Sequence, residues 1–206
     1  MVVDLSLPDG PVRLVDEAVA RFGRLDILIN NVGAVRPRVG GFLSISDEDW
    51  TATLTIDLFA AIRTTRAALP HLLERSAATI VTTCSVNAFL PDPLVMDYSA
   101  AKGALANFSK ALSKEVGVKG VRVNTVSPGP VATDLWLGED GVAATVARAG
   151  NGRPESIAQR AAEDAVTGRF SRPEEVADLV VFLASDRAGN VTGADFVIDG
   201  GMTATL

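Results

Sequence analysis

Two side chains that could transfer a proton lie four residues apart at the start of a predicted helix. Tyr98 and Lys102 have this spacing, so the phenol and the ammonium group lie on one helix face and can meet the same ligand. A free phenol titrates near ~10, and a nearby ammonium group favours the phenolate, which lowers the pKa of the phenol. Ser85 lies thirteen residues upstream, where its hydroxyl could hydrogen-bond the same substrate oxygen. These groups predict proton exchange with a substrate hydroxyl or carbonyl, although the spacing alone also fits a half-buried tyrosine beside a solvated lysine.

Short apolar runs indicate the strands that position these side chains. Strands are predicted over residues 27–29, 79–81, 121–126 and 196–198. The run Ile27-Leu28-Ile29 is continuously apolar, which is typical of a strand buried on both faces of a parallel sheet. Ser85 follows the second strand, so we expect its hydroxyl at a strand end.

Helical patterns alternate with these strands. Helices are predicted over residues 9–22, 46–73, 97–116 and 172–183. Ser46 and Asp49 form a capping-box-like start of the second helix, and Pro70 predicts a bend in it. Strands separated by helices favour an open α/β sheet, whose ligands bind beyond the carboxyl ends of the strands.

Residues 134–170 interrupt this alternation. They are rich in Ala, Gly and charged residues and have weak apolar periodicity, which predicts a mobile helical insertion that acts as a lid. At its entrance, Trp136 and Leu137 could line a substrate pocket together with Phe89 and Leu94, but ordinary packing explains them equally well. The whole chain of 206 residues is therefore predicted to be one domain with a lid insertion.

Composition excludes several classes of protein. The chain has a net charge of −6 and no basic cluster, which argues against nucleic-acid binding because such binding relies on Lys and Arg at the phosphates. It contains one cysteine, Cys84, and one histidine, His71, so neither an internal disulfide nor a common zinc cluster is expected. No apolar stretch is long enough to span a membrane and no secretory signal is visible, so we expect a cytoplasmic protein that is not bound to a membrane.

Five short motifs follow one another in a characteristic order. They are Asn30-Asn31-Val32-Gly33, Ser85, Tyr98-Ser99-Ala100-Ala101-Lys102, Pro128-Gly129-Pro130-Val131-Ala132-Thr133 and Asp199-Gly200-Gly201. In this order the chain resembles the short-chain dehydrogenase/reductase family, from about Asp4 to Gly201, and is similar to its 3-oxoacyl carrier-protein reductase-like members. The resemblance implies a Rossmann-like, doubly wound parallel sheet and hydride transfer with NAD or NADP.

The resemblance also implies roles for individual residues. Ser85 would orient the substrate oxygen, Tyr98 would be the general acid or base, and Lys102 would hold the nicotinamide ribose and lower the pKa of Tyr98. The remaining residues implied to border the cofactor are Asp4, Asn31, Gly33, Pro128, Gly129, Val131 and Thr133. Other readings stay open for some of them. Asn31 and Gly33 could terminate a strand, Thr133 could cap a helix, and Asp4 could lie in a frayed terminus.

Two departures from the family pattern bear on function. The family carries an Asn seven residues after the aromatic residue that corresponds to Trp50, where it helps to hold a water of a proton relay, and this chain has Asp57 there. A carboxylate can still accept a hydrogen bond from that water, but its charge competes with the phenolate for Lys102.

The second departure is at the start of the chain, where residues 1–5 resemble the end of the third strand of the family, and no Thr-Gly-x-x-x-Gly-x-Gly pattern occurs in the chain. The sheet is therefore expected to lack its first strands and the Gly-rich turn, and NAD(P) binding by this chain is expected to be weak.

Two hypotheses about function remain at this point. The first is an NAD(P)-dependent oxidoreductase that interconverts a small secondary alcohol and a ketone. The second is a truncated, non-catalytic homologue that acts only as a partner in an oligomer, which the missing Gly-rich turn suggests. In both cases the long helices over 46–73 and 97–116 match those that pair in the family, so a homodimer or homotetramer is expected.

Overall fold

The computed structural model describes residues 1–204. Four parallel strands form one sheet in the order β1-β2-β3-β4. The strands are β1 Ile27–Asn30, β2 Ala78–Thr83, β3 Val121–Pro128 and β4 Asp195–Ile198. Because all four strands run in the same direction, their carboxyl ends lie along one edge of the sheet. The predicted α/β class with a Rossmann-like parallel sheet is confirmed.

Helices connect successive strands and cover the sheet. They are α1 Gly10–Phe22, α2 Asp47–Leu54, α3 Ala60–Leu73, α4 Met96–Val116, α5 Asp134–Leu137, α6 Val142–Ala149, α7 Pro154–Glu163 and α8 Pro173–Ala184. Within residues 1–204, no helix is both long and apolar enough to cross a membrane.

The core has two parts, one on each face of the sheet. Neighbouring residues of a strand point to opposite faces, and Ile80 and Val81 of β2 are both fully buried. Ile80 packs with Val15 of α1 and Leu72 of α3, whereas Val81 packs with Leu183 of α8. Helices on both faces therefore hold β2 and β3 in the centre of the molecule, and this fixes the position of the loops that follow them.

Strand β1 is buried on one face only. Leu28 and Asn30 are buried, but Ile27 and Ile29 are 46% and 40% exposed. The prediction that this strand is buried on both faces is wrong. The reason is that β1 lies at the edge of the sheet, and α8 packs over β2 and β3 but does not extend over β1.

The helical segment before β2 contains an irregular turn. The capping box of Ser46 and Asp49 is confirmed at the start of α2. Between α2 and α3, residues Thr55–Phe59 form a π-helical turn, and Asp57 lies in that turn. Helix α3 contains Pro70 and continues to Leu73, and the bend near Pro70 stays a prediction. Turns of this type often occur at functional sites, since the extra residue redirects a side chain.

The segment between β3 and α8 is largely helical. It contains α5, α6 and α7, and a parallel bridge between Val131 and Ser171 joins its two ends. These helices agree with the helical insertion predicted over residues 134–170. The mobility of this lid and the assignment of the chain to a single domain stay predictions.

The two burial environments of isoleucine lead to a stability prediction. Replacing Ile80 with Ala removes a fully buried side chain, so we expect the free energy of unfolding to fall by about 2–5 kcal/mol. Replacing Ile27 with Ala, in the neighbouring strand, should lower it by about 1 kcal/mol or less because that side chain is already half-exposed. Urea denaturation of both variants measures the difference, and equal losses would contradict the assignment of the two faces.

Candidate active site

One cavity of about 1090 Å³ lies at the carboxyl ends of the strands. The segments that follow β1 and β2, the end of β3, the lid and the first turns of α4 all contribute to its wall. The residues predicted for the site that line it are Asn31, Gly33, Ser85, Tyr98, Lys102, Pro128, Gly129, Val131 and Thr133. The structure therefore brings residues that are up to about a hundred positions apart in the sequence into one place.

The Ser85 hydroxyl is fixed by a short turn after β2. Ser85 is buried and caps the 3₁₀ turn Val86–Ala88, where its Oγ accepts a hydrogen bond from the backbone N–H of Asn87 at 3.2 Å. The same Oγ donates to Asn87 Oδ1 at 3.2 Å. Ser85 also lies close enough to Tyr98 to oppose a rise in the pKa of that phenol. The hydroxyl and the phenol thus lie together, as the sequence predicts.

Lys102 lies beneath the tyrosine ring on the same face of α4. Its side chain is almost fully buried, and Nζ lies 5.5 Å from the centroid of the Tyr98 ring. Nζ donates a hydrogen bond to the backbone carbonyl of Thr83, at the end of β2, at 3.2 Å. An ammonium group has three N–H donors, so further donors of Lys102 are free to bind a ligand in the cavity.

Burial controls the acidity of both groups. Desolvation raises the pKa of Tyr98 well above its usual value, and the negative charge of Asp57 raises it further. Desolvation also lowers the pKa of Lys102, while Asp57 opposes that change. The expected lowering of the Tyr98 pKa is therefore wrong, because Lys102 faces the ring and does not outweigh the burial of the phenol. At neutral pH Tyr98 is a protonated hydroxyl.

Asp57 is a buried carboxylate next to Lys102. Its Oδ1 accepts a hydrogen bond from the backbone N–H of Ala34 at 3.0 Å, and its Oδ2 has no partner among the described residues. Burial raises the pKa of Asp57 to about 6, and the positive charge of Lys102 opposes this rise. The charges of Asp97 and Arg36 act in opposite directions and more weakly.

Gly33 leaves the space in which these two charged groups approach each other. A Cβ atom at this position would lie 2.8 Å from Asp57 Oδ1 and 3.4 Å from Lys102 Nζ. Any larger residue would force the carboxylate to move. The sequence predicted Gly33 as a residue that borders a cofactor, and the structure gives it this second, steric role.

Asn30 and Asn31 have different partners although they are adjacent. Asn31 lines the cavity, and its Oδ1 accepts a hydrogen bond from the Thr83 hydroxyl at 2.9 Å. Asn30 is buried, and its side-chain amide donates to Thr65 Oγ1 at 3.0 Å, which ties β1 to α3. The structural role of Asn30 was not predicted, although strand alternation places it on the same face as Leu28.

The ion pair of Arg38 and the buried Asp97, next to Tyr98 in the sequence, was not predicted from the sequence. Arg38 Nε donates to Asp97 Oδ2 at 3.0 Å, and Arg38 Nη1 donates to Asp49 Oδ1 at 2.8 Å. The Thr53 hydroxyl donates to the same oxygen of Asp97 at 2.7 Å. Burial alone would raise the pKa of Asp97, but the hydrogen bonds from Arg38 and Thr53 hold it below its usual value. These contacts fix the first turn of α4, which carries Tyr98.

Several predicted residues lie outside the cavity wall. Asp4 is exposed, and its carboxylate accepts hydrogen bonds from the backbone and hydroxyl of Ser6, so the structure does not place it at the cavity. Trp136 and Leu94 line the cavity, whereas Leu137 and Phe89 do not. Thr133 precedes α5 but makes no capping hydrogen bond through its side chain, which argues against the purely structural interpretation.

Cys84 is a buried neighbour of the site. Its Sγ donates a hydrogen bond to the backbone carbonyl of Lys102 at 3.2 Å, and burial raises the pKa of the thiol. A protonated thiol in this position is a poor nucleophile. Within residues 1–204, no group of three or more His, Cys, Asp or Glu side chains could hold a metal ion.

Comparison with known proteins identifies the family. The model of a family described as enoyl-(acyl carrier protein) reductase matches residues 1–203. The chain belongs to the short-chain dehydrogenase/reductase family. This family consists of oxidoreductases, and the predicted resemblance is confirmed.

Relatives of known name cover nearly the whole chain. The meso-2,3-butanediol dehydrogenase of Serratia marcescens is 34% identical over 203 residues, which are 98% of this chain and 74% of the relative. The 3-oxoacyl-(acyl carrier protein) reductase of Thermotoga maritima is 30% identical over 205 residues, which are 98% of this chain and 75% of the relative. Relatives that are named for different substrates thus align with nearly the whole of this chain.

Solved structures of the family superpose closely. L-sorbose reductase from Gluconobacter frateurii, solved with NADPH and L-sorbose, has a TM-score of 0.90 and is 33% identical, over 100% of this chain and 76% of that protein. A short chain dehydrogenase family protein from Francisella tularensis has a TM-score of 0.89 at 27% identity, over 100% of this chain and 81% of that protein.

The buried charge of Asp57 leads to a prediction for Tyr98. Asp57 titrates at about 6, so it is charged wherever the phenol titrates, and its charge raises the pKa of Tyr98. Replacing Asp57 with Asn should therefore lower the pKa of the phenol. Tyr98 is the only tyrosine of the chain, so the ultraviolet absorbance of the phenolate reports this residue alone. The exposed Asp47, replaced with Asn, is the control, and equal titration curves for the two variants would show that Asp57 does not act on Tyr98.

Proposed function

We propose that this protein interconverts a secondary alcohol and a ketone, with NAD or NADP as the hydride carrier. The observation that supports this most strongly is the meeting of Ser85, Tyr98 and Lys102 in one cavity. Their donors converge where a substrate oxygen can be bound, and that arrangement fits proton transfer to a carbonyl. The names of the relatives, a butanediol dehydrogenase and a sorbose reductase, agree with this chemistry.

The cavity wall fits the nicotinamide half of a dinucleotide. Lys102 has N–H donors free for ribose hydroxyls, and Asn31 and Thr133 add polar groups to the wall. Gly129 lacks a Cβ, which would lie 2.9 Å from Asp199, so the backbone can pack closely at the cavity edge. We propose that Lys102 holds the nicotinamide ribose, that Val131 and Thr133 face the carboxamide, and that Asn31 borders the ribose of the adenosine half. When bound, the nicotinamide gives a hydride to the carbonyl carbon or accepts one from the alcohol.

Tyr98 supplies the proton in the direction of ketone reduction. Burial keeps the phenol protonated at neutral pH, so its hydroxyl can donate the proton that the substrate oxygen needs as it becomes an alcohol. Once its hydroxyl turns from Asn87 Oδ1 toward the substrate, Ser85 can donate a hydrogen bond to the same oxygen and stabilise the charge that develops there. In the reverse direction, the phenol must first lose its proton, and its raised pKa makes that step favourable only at high pH.

Asp57 is proposed to act through Lys102. A buried carboxylate with a pKa of about 6 can exchange a proton near neutral pH, and its partnerless Oδ2 can accept a hydrogen bond from a water. An asparagine at this position could hold that water but could not take up the proton. We propose that Asp57 is a positioning residue that also receives protons in the path behind Lys102.

Replacing Tyr98 with Phe is the most direct test of this function. The substitution keeps the ring and removes the only phenol of the chain, so we expect the rate of ketone reduction to fall by about 10²–10⁴-fold. The rate is measured by the loss of NAD(P)H absorbance with a panel of small ketones. Ser113 of the same helix, replaced with Ala, loses a hydroxyl away from the cavity and should keep the parent rate. Parent-level activity of the Tyr98→Phe variant would rule out the proposed chemistry.

The exposed face of α4 supports a homodimer or homotetramer. Ala100, Ala104 and Ala111 are exposed along one side of this helix, and Phe59 is 41% exposed in the π-helical turn before α3. Small residues allow close approach of a second helix, and an exposed aromatic ring favours burial. Light scattering at micromolar concentration should give at least twice the monomer mass, and replacement of Ala104 with Glu should lower it. A parent protein that is monomeric would contradict this assembly.

A further inference from the structure

Apart from the buried Lys102, the charged side chains that line the cavity within residues 1–204 are carboxylates. Three charged side chains line it, namely Asp92, Asp164 and Lys102. Lys102 is buried and is held by the Thr83 carbonyl and the charge of Asp57. The other two side chains are exposed carboxylates, one after the Ser85 turn and one at the end of α7. A substrate that enters the cavity therefore meets negative charge on two sides.

Two of the guanidinium groups close to this wall already have anionic partners. The Arg38 backbone N–H bonds the carbonyl of the lining residue Leu94, but its side chain is paired with Asp97 and Asp49. Arg169 precedes Phe170, which contacts the lining residue Trp136, and its side chain is paired with Glu175. Neither group is available to neutralise an anionic substrate.

The rest of the wall on the lid side is apolar. Trp136, Leu94, Leu135 and Val142 line it, and the ring of Trp136 packs edge-to-face on Phe170 with a centroid distance of 5.3 Å. This contact fixes the orientation of the indole. An apolar group on the substrate would be desolvated against this surface, which favours its binding.

We propose that the substrate is an uncharged ketone or secondary alcohol with an apolar substituent, and that the cavity discriminates against carboxylates and phosphate-bearing thioesters. The proposal rests on the proposed function, because it takes this cavity to be the substrate site. Repulsion between an anionic substrate and two partly solvated carboxylates should lower its affinity about tenfold or more. The chain therefore resembles in this respect the relatives named for L-sorbose and butanediol, which are uncharged, more than the relative named for a carrier-protein thioester.

Three small ketones separate the effect of charge from that of apolar surface. Acetoacetate and acetoacetamide have the same shape and differ in charge, and ethyl acetoacetate adds an apolar group to an uncharged ketone. Binding is followed by the fluorescence of Trp136 in a Trp50→Phe variant, which leaves Trp136 as the only tryptophan, and this readout needs no turnover. We expect acetoacetamide to bind at least about tenfold more tightly than acetoacetate, with a difference that shrinks as salt is added. Ethyl acetoacetate should bind most tightly.

Charge reversal on the wall gives the matched variants. Asp164→Lys should reduce the preference for acetoacetamide over acetoacetate, whereas Glu163→Lys, at the neighbouring exposed residue outside the cavity wall, should leave it unchanged. Asp164 is chosen because Asp92 Oδ1 also accepts a hydrogen bond from the backbone of Leu94.

The outcomes separate this proposal from the proposed function. Equal or tighter binding of acetoacetate, or equal effects of the two lysine variants, would overturn it, as would the absence of binding by all three ketones. If the uncharged ketones bind with the expected preference but none is reduced with NADH or NADPH, the proposal stands and the proposed reaction is wrong.

Discussion

The burial of the Lys102 ammonium group is the constraint on which the site depends. A lysine that is almost fully buried loses the solvation of its charge, and the structure compensates with the Thr83 carbonyl at 3.2 Å and the carboxylate of Asp57. Thr83 ends the central strand β2 and Asp57 lies in the π-helical turn. The charge can therefore be held only if the sheet, the turn and α4 are all in place, and the phenol of Tyr98 is positioned by the same arrangement.

Two buried carboxylates in and beside the site each have one oxygen without a hydrogen-bond partner among the described residues. The two oxygens are Asp57 Oδ2 and Asp97 Oδ1, and both are buried. Such atoms are rare in folded proteins because each costs free energy, and they commonly mark the position of a bound water. Asp97 is stabilised by Arg38, which is a structural role, whereas Asp57 faces Lys102 and has a pKa of about 6. Two similar side chains thus have different cationic partners, and only Asp57 is proposed to receive protons.

Local spacing made much of the site predictable from the sequence. The interval between Tyr98 and Lys102 fixes their common helix face, and the end of an apolar run places Ser85 at a strand end, whatever the rest of the fold is. The Arg38–Asp97 pair could not be predicted, since 59 positions separate the two residues and no local pattern links them. The exposure of Ile27 and Ile29 depends on how far α8 extends over the sheet. The acidity of Tyr98 depends on desolvation, which a sequence pattern does not measure. The sequence therefore predicts which side chains lie on the same face of an element. Tertiary packing determines how far solvent and neighbouring charges shift the pKa values of those side chains.

Isotope transfer is the most direct test of whether hydride transfer takes place in the cavity that Tyr98 lines. The protein would be incubated with a small uncharged ketone and NADH or NADPH that carries deuterium on the transferable position of the nicotinamide, and the alcohol would be examined by mass spectrometry and NMR. We expect deuterium on the carbinol carbon, with a single configuration, and a rate of labelled alcohol formation about 10²–10⁴-fold lower with the Tyr98→Phe variant. Alcohol without deuterium, or no alcohol from either coenzyme, would contradict the proposed function.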